Sequence, residues 1–178
     1  MSWTVPTYSS PQEPAVSSSQ AHTEPLFSGA KTTKDRVALL NQSRADTLDL
    51  AFQIERAYWT VEGRNAWGLR LLFEKIHGQL ATYVGGFDQR VVTPGSQTLE
   101  TLRVANQPAM AAVDPLDARG DKIVLNDLVD RCGEYSERIR TASRMAGQLG
   151  DQDTAAFCKG VSRDMDKTLW MLTSIQVA

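Results

Sequence analysis

The chain has 178 residues, 42% of them hydrophobic and 22% charged, with a formal net charge of −2. That balance predicts a single soluble globular domain, and the near-neutral charge excludes a molecule that attracts nucleic acid as a whole. No apolar run approaches the roughly 20 residues that a bilayer crossing needs, and no basic region followed by an apolar stretch marks a secretory signal, so a cytoplasmic protein without membrane partners is expected.

Residues 1–30 are rich in Ser, Pro, Thr and Gln, contain Glu13 and Glu24, and carry no Lys or Arg. Such a segment buries too little apolar surface to offset its ordering entropy. It is expected to be a disordered N-terminal tail, with Trp3, Tyr8 and Phe27 offering the alternative of partial docking on a neighbouring surface. Residues 31–178 form the predicted domain.

From Lys31 the pattern turns helical. Leu40, Leu48, Ala51, Ile54, Tyr58 and Val61 fall on one helical face, and the segment stops near Gly63. A second run carries Leu69, Leu72, Ile76, Leu80, Tyr83 and Phe87 at steps of three and four and ends before Pro94-Gly95. A long irregular stretch follows, with a short helical candidate around Leu99–Val104 and breaks at Pro108 and Pro115. The third run holds Leu125, Leu128, Cys132, Tyr135, Ile139, Ala142 and Ala146. Asp151 and Asp153 then supply capping chemistry and negative charge at the start of a fourth run with Cys158, Val161, Met165, Leu169 and Leu172. No strand-type alternation competes. Cys132 and Cys158 are isolated, with neither CxxC nor zinc-type spacing, and read as free core thiols. The expectation is an all-α four-helix bundle in which a long crossover carrying a short helix joins the second and third helices.

Short motifs then point to a family. Asp153-Thr154-Ala155 followed by Ser162-Arg163-Asp164-Met165-Asp166-Lys167 and Leu169-Trp170 closely resembles the C-terminal signature of the Dps mini-ferritins, a branch of the ferritin-like proteins. Leu40-Asn41-Gln42, Ala45-Asp46-Thr47 and Tyr58-Trp59-Thr60-Val61-Glu62-Gly63 agree with that family's first helix. Leu72-Phe73-Glu74-Lys75, Tyr83-Val84, Pro115-Leu116-Asp117 and Leu128-Val129-Asp130-Arg131 extend the resemblance over about residues 36–175. It implies a hollow homo-oligomer, a dodecamer of ferritin-like four-helix subunits, whose members oxidise Fe(II), preferentially with hydrogen peroxide, and store the ferric product.

The resemblance also locates the family's ferroxidase, built from two His and an Asp of one subunit with an Asp and a Glu of its two-fold partner. Here those positions hold Tyr58, Arg70, Glu74, Gly85 and Gln89. A phenol with a pKa of about 10 is a poor Fe(II) ligand at neutral pH, and a guanidinium donates without accepting. Only Glu74 keeps ligand chemistry, and Arg70, one turn before it, is placed to pair with it. No orthodox catalytic residue is therefore expected. Against this stands a relocated iron site: Glu74 and His77 form a Glu-x-x-His pair, a spacing used in di-iron bundles. Glu55 and Glu62 sit on the first helix in registers that do not obviously converge with the pair, and His22 lies in the tail.

In the family, acidic residues lining three-fold pores admit cations. Asp117 and Asp130 retain two of those positions, Ile123 replaces a third, and Asp121 and Asp127 keep the neighbourhood acidic. The same Asp117 and Asp121 are equally read as favouring a helix N-terminus through capping and the dipole. DNA binding in the family often uses basic tails. Residues 1–30 offer none, no basic C-terminal extension is seen, and Lys31, Lys34 and Arg36 form only a small cluster, so weak or absent DNA binding is expected.

The sequence thus predicts a Dps-like cage subunit for iron storage and stress protection, holding iron as mineral or weakly bound and needing no organic cofactor. It would act as a storage or structural shell, alone or co-assembled with a catalytically complete paralogue. The alternatives are a ferroxidase relocated to Glu74 and His77, and a binding or DNA-associated shell acting through the N-terminal tail.

Overall fold

The computed structural model describes residues 26–92 and 119–177. The tail up to residue 25, the crossover candidate at Leu99–Val104 and Asp117 lie outside the described residues. Chain order is α1 (Leu26–Thr60), β1 (Val61–Glu62), α2 (Ala66–Val92), β2 (Arg119–Gly120), α3 (Asp121–Gln148) and α4 (Gln152–Val177). Helix α1 packs along α2 and α3, and α4 packs along α3, while α2 and α4 barely touch. The four form a bundle around one core. Helix α1 begins at Leu26, ahead of the Lys31 start read from the sequence.

The apolar stripes meet in that core. Phe73 and Phe87 of α2, Ile54 of α1, Ile139 of α3 and Met165 of α4 are all fully buried, each such side chain contributing about 1.5–3 kcal/mol over its exposed state. The whole predicted stripe of α3, from Leu125 to Ala146, is buried as expected. On α1 the stripe narrows: Leu48 is exposed, and the core is instead lined by Leu50, Ile54 and Ala57. Thr47 and Tyr135, buried in this core, satisfy each other through a 2.9 Å hydroxyl–hydroxyl hydrogen bond.

The ends of the helices show why the chain turns where it does. After α3, Gly150 takes φ +73°, Gly150 N donates to Gly147 O and Asp151 N to Ala146 O, closing the helix with a left-handed cap. Asp151 then accepts from Thr154 N at 3.0 Å and starts α4, as the sequence suggested. Arg36 of α1 donates from Nε and Nη2 to Leu149 O and ties this turn to the first helix.

The expectation of no strand needs correction. Val61 and Glu62 pair in parallel with Arg119 and Gly120, a two-residue bridge too short to leave any alternation in the sequence. Gly63 follows at φ +132°, and a Cβ there would lie 2.9 Å from the Asp121 carboxylate. The backbone conformation and the close approach both require glycine. This bridge holds the end of α1 against the start of α3.

Candidate functional site

Tyr58, Arg70, Glu74 and His77 gather at one end of the α1–α2 pair. Tyr58 lies near the C-terminus of α1, half-buried against the core. Arg70 lies in the second turn of α2, with Glu74 one turn further on, exposed. Arg70 does not turn to Glu74. Its Nε donates to the carbonyl of Tyr58 at 3.2 Å and its Nη2 to the carbonyl of Val61 at 3.0 Å, and among the described residues the expected Arg70–Glu74 ion pair is not formed. The end of α1 leaves carbonyls without helical partners. A charged donor serving them in a half-buried place is worth about 1.5–3 kcal/mol, against about 0.3–0.5 kcal/mol for a surface pair one turn apart.

Released from Arg70, Glu74 faces a pocket of about 240 Å³ that it lines with His77, Tyr58, Trp59, Phe73 and Glu55. Glu74 and His77 thus line the same pocket. Glu55, whose register did not obviously converge with the pair, joins them, while Glu62 is not among the lining residues. Glu55 and Trp59 stand one turn apart on α1, opposite Glu74 and His77 on α2. That facing of two helices was the signal available in the sequence, and it needed the relative rotation of α1 and α2 to be read.

Gly85 and Gln89 lie further along α2, Gly85 eleven residues and about 16 Å beyond Glu74. Within one chain they do not join Tyr58, Arg70 and Glu74. Gln89 instead borders a pocket of about 640 Å³ at the opposite end of the pair, shared with Arg36, Arg90, Asp151, Asp153 and Phe157. Arg90 stacks there 3.9 Å from the centre of the Phe157 ring.

Asp121 opens α3, where Gly120 is the N-cap and no side-chain cap bond is made. Asp121 therefore favours the positive end of the helix by its charge and accepts from Lys122 N at 2.9 Å, without acting as the N-cap residue. Asp127 and Asp130 are exposed along α3.

Set against the ligand chemistry of Fe(II), Tyr58 and Arg70 offer little. Carboxylate oxygen and imidazole ligands suit that ion, whereas Tyr58 offers a phenol and the Arg70 guanidinium is committed to backbone carbonyls. No group of three or more His, Cys, Asp or Glu side chains able to hold a metal is found among the described residues.

Comparison with known proteins agrees with the geometry of the bundle. The ferritin-like domain model matches residues 37–177. The DNA protection during starvation protein of Agrobacterium fabrum is 31% identical over 147 residues, covering 83% of this chain and 90% of that protein. The chain belongs to the Dps family. The DNA protection during starvation protein of Brevibacillus brevis is 26% identical, over 75% of this chain and 89% of its own. Among solved structures, a Dps protein from Bacillus brevis superposes with a TM-score of 0.71 at 19% identity, covering 82% of this chain and 97% of that one. The Dps of Vibrio cholerae O1, described as one of a broad superfamily of ferritin-like diiron-carboxylate proteins, gives 0.69 at 20% identity over 81% and 90%. The ferritin-like bundle expected from the motifs is thus the fold of this Dps chain. No described helix is long and apolar enough to cross a membrane.

Proposed function

We propose that this Dps mini-ferritin is the subunit of a cytoplasmic cage, a dodecamer, whose inter-subunit ferroxidase is disabled, so that it serves as a storage or structural shell for iron oxidised elsewhere. One observation supports the reading: the Arg70 guanidinium, at the position the family resemblance gives to an imidazole ligand, is held by two backbone carbonyls. A fixed positive charge at that place repels Fe(II). Tyr58, Gly85 and Gln89 remove further ligands. Catalysis would then come from a ligand-complete paralogue in a mixed shell. The exposed acids Asp127 and Asp130 fit a cation entry route between subunits, and the small net charge fits weak or absent DNA binding.

The test is an anaerobic Fe(II) titration of the size-checked assembly followed by stopped-flow addition of hydrogen peroxide. No saturable Fe(II) binding and an oxidation rate equal to buffer are expected. Saturable binding with fast oxidation would overturn the proposal. One observation favours a second reading, a ferroxidase relocated to Glu74 and His77: Glu55 lines the same pocket. On that reading the oxidation disappears in Glu74→Gln and His77→Ala.

A further inference from the structure

Helices α1 and α3 leave a groove of about 490 Å³ between them, within the roughly 300–1,000 Å³ of clefts that bury a ligand. Leu39, Ala142 and Met145 give it apolar lining, and Gln42, Asp46 and Arg138 polar lining. No residue of α2 or α4 lines it, and neither does any position that the family resemblance gives to the ferroxidase or the pore. Its acids are already answered. Asp46 accepts from Gln42 Nε2 at 3.0 Å and from Arg138 Nη1 at 3.2 Å, and Glu137 is paired with Arg140. Two side chains are left over. Met145 is 46% exposed, a polarisable apolar group of the kind that packs well on aromatic rings. Arg144, its neighbour in the chain, donates to Thr141 Oγ1 at 3.0 Å, and among the described residues no carboxylate pairs with it.

The groove is therefore complementary to a segment with aromatic side chains and a carboxylate but no cations. The chain carries one. Residues 1–25, ahead of α1, contain Trp3, Tyr8, Glu13 and Glu24 and no Lys or Arg. Leu39 lies thirteen residues along α1 from Leu26, about 20 Å at 1.5 Å per residue. An extended chain covers that distance in about six residues, at about 3.3 Å each. Glu24 is too close to Leu26 to span it, whereas Glu13, Tyr8 and Trp3 have length to spare. Pro6, Pro11 and Pro14 lower the entropy that such a segment loses on docking. We propose that the N-terminal segment turns back along α1 and docks in the α1–α3 groove of its own subunit. Trp3 and Tyr8 pack against Leu39 and Met145, and the Glu13 carboxylate meets Arg144.

Methionine footprinting of the full-length, metal-free assembly with hydrogen peroxide tests this. Oxidation of Met145 is followed by peptide mass spectrometry, with the buried Met165 as the slow internal control. Met145 should oxidise several-fold more slowly in the unaltered chain than in the Trp3→Ser, Tyr8→Ser variant, whose changes lie outside the bundle. Equally fast oxidation in both would overturn the proposal. So would equal protection in both, which would show a second copy of the chain seated on the groove. Arg144→Glu should also speed Met145 oxidation, and combining it with Glu13→Arg should restore the protection. Arg144 is exposed, so its substitution spares the core. Unchanged protection in Arg144→Glu, or no restoration in the exchanged pair, would overturn the proposal as well. None of these readouts involves iron, so they are scored apart from the Fe(II) titration.

Discussion

Arg70 decides the chemistry of its neighbourhood by where its protons go. Donating to the Tyr58 and Val61 carbonyls, it seals the end of α1 and places a cation beside Tyr58. Arg70→Ala should therefore cost about 1.5–3 kcal/mol in urea unfolding. It should leave iron oxidation absent, since Tyr58 remains. Recovery of fast oxidation in this variant would show that the guanidinium alone had blocked a working site. Cys132 and Cys158 make a second residue-scale case. Burial pushes their thiols up from the usual 9.0 to about 12 and about 11 respectively. Raised values favour the protonated native form. The stability they add is present below pH 9 and is lost as pH rises through about 11 to 12. Iodoacetamide at pH 8 should leave both thiols unmodified in the native protein and label both in urea; native labelling would contradict the burial. Much of this scale was legible in the sequence. Isolated cysteines on apolar stripes predict buried thiols, and the motif register singles out Tyr58 and Arg70. The partner chosen by Arg70 was not legible, because helix spacing offers Glu74 while the better acceptors lie across a turn, at the end of α1 and in β1.

Helices α2 and α4 meet where Gly86 lets the Phe157 ring come close. A Cβ on residue 86 would fall 2.5 Å from that ring, and the ring is also the platform for Arg90. Gly86→Ala should cost about 1–3 kcal/mol through overpacking, read as a lower urea midpoint with unchanged slope. Gly85→Ala, with open space around it, is the control, and equal losses in the two would refute the contact. At this scale the sequence did well on long elements. The three-four spacing of Leu125 to Ala146 predicted a stripe that is buried throughout, and Asp151 predicted a cap that is made. It did worse where few residues carry the signal. Leu48 fits the apolar spacing of α1 yet is exposed, since periodicity cannot say how wide a stripe the neighbours cover. The β1–β2 bridge has only two residues a side, fewer than any alternation requires.

The whole chain leaves large apolar side chains in water. Trp59, Trp67 and Trp170 are 69%, 75% and 72% exposed, and Leu71, one turn from Trp67, is 52% exposed. Scattered apolar residues are ordinary on a surface, whereas neighbours such as Trp67 and Leu71 form a patch of the kind that interaction sites present. In the proposed cage, copies of the chain cover them. Trp67→Glu combined with Leu71→Glu should convert the assembly into smaller species by size-exclusion chromatography with light scattering, at unchanged helical circular dichroism. An assembly of unaltered mass would show that this face is not part of a subunit contact.

The parallel bridge at Gly63 also bears on the order in which the molecule comes together. Most contacts in the bundle lie between helices adjacent in sequence, α1 with α2 and α3 with α4, and such local pairings form early at small loop-closure cost. The bridge joins residues 61–62 to 119–120 across a long intervening segment, so it should close after the barrier is passed. Interactions made that late govern escape from the native state rather than entry into it. Gly63→Ala, strained at φ +132°, should accelerate unfolding in stopped-flow denaturation while leaving the refolding limb nearly unmoved. A refolding rate that falls in step with stability would place this small strand pair in the folding nucleus, and would mean that the two halves of the bundle are brought into register before their cores are packed.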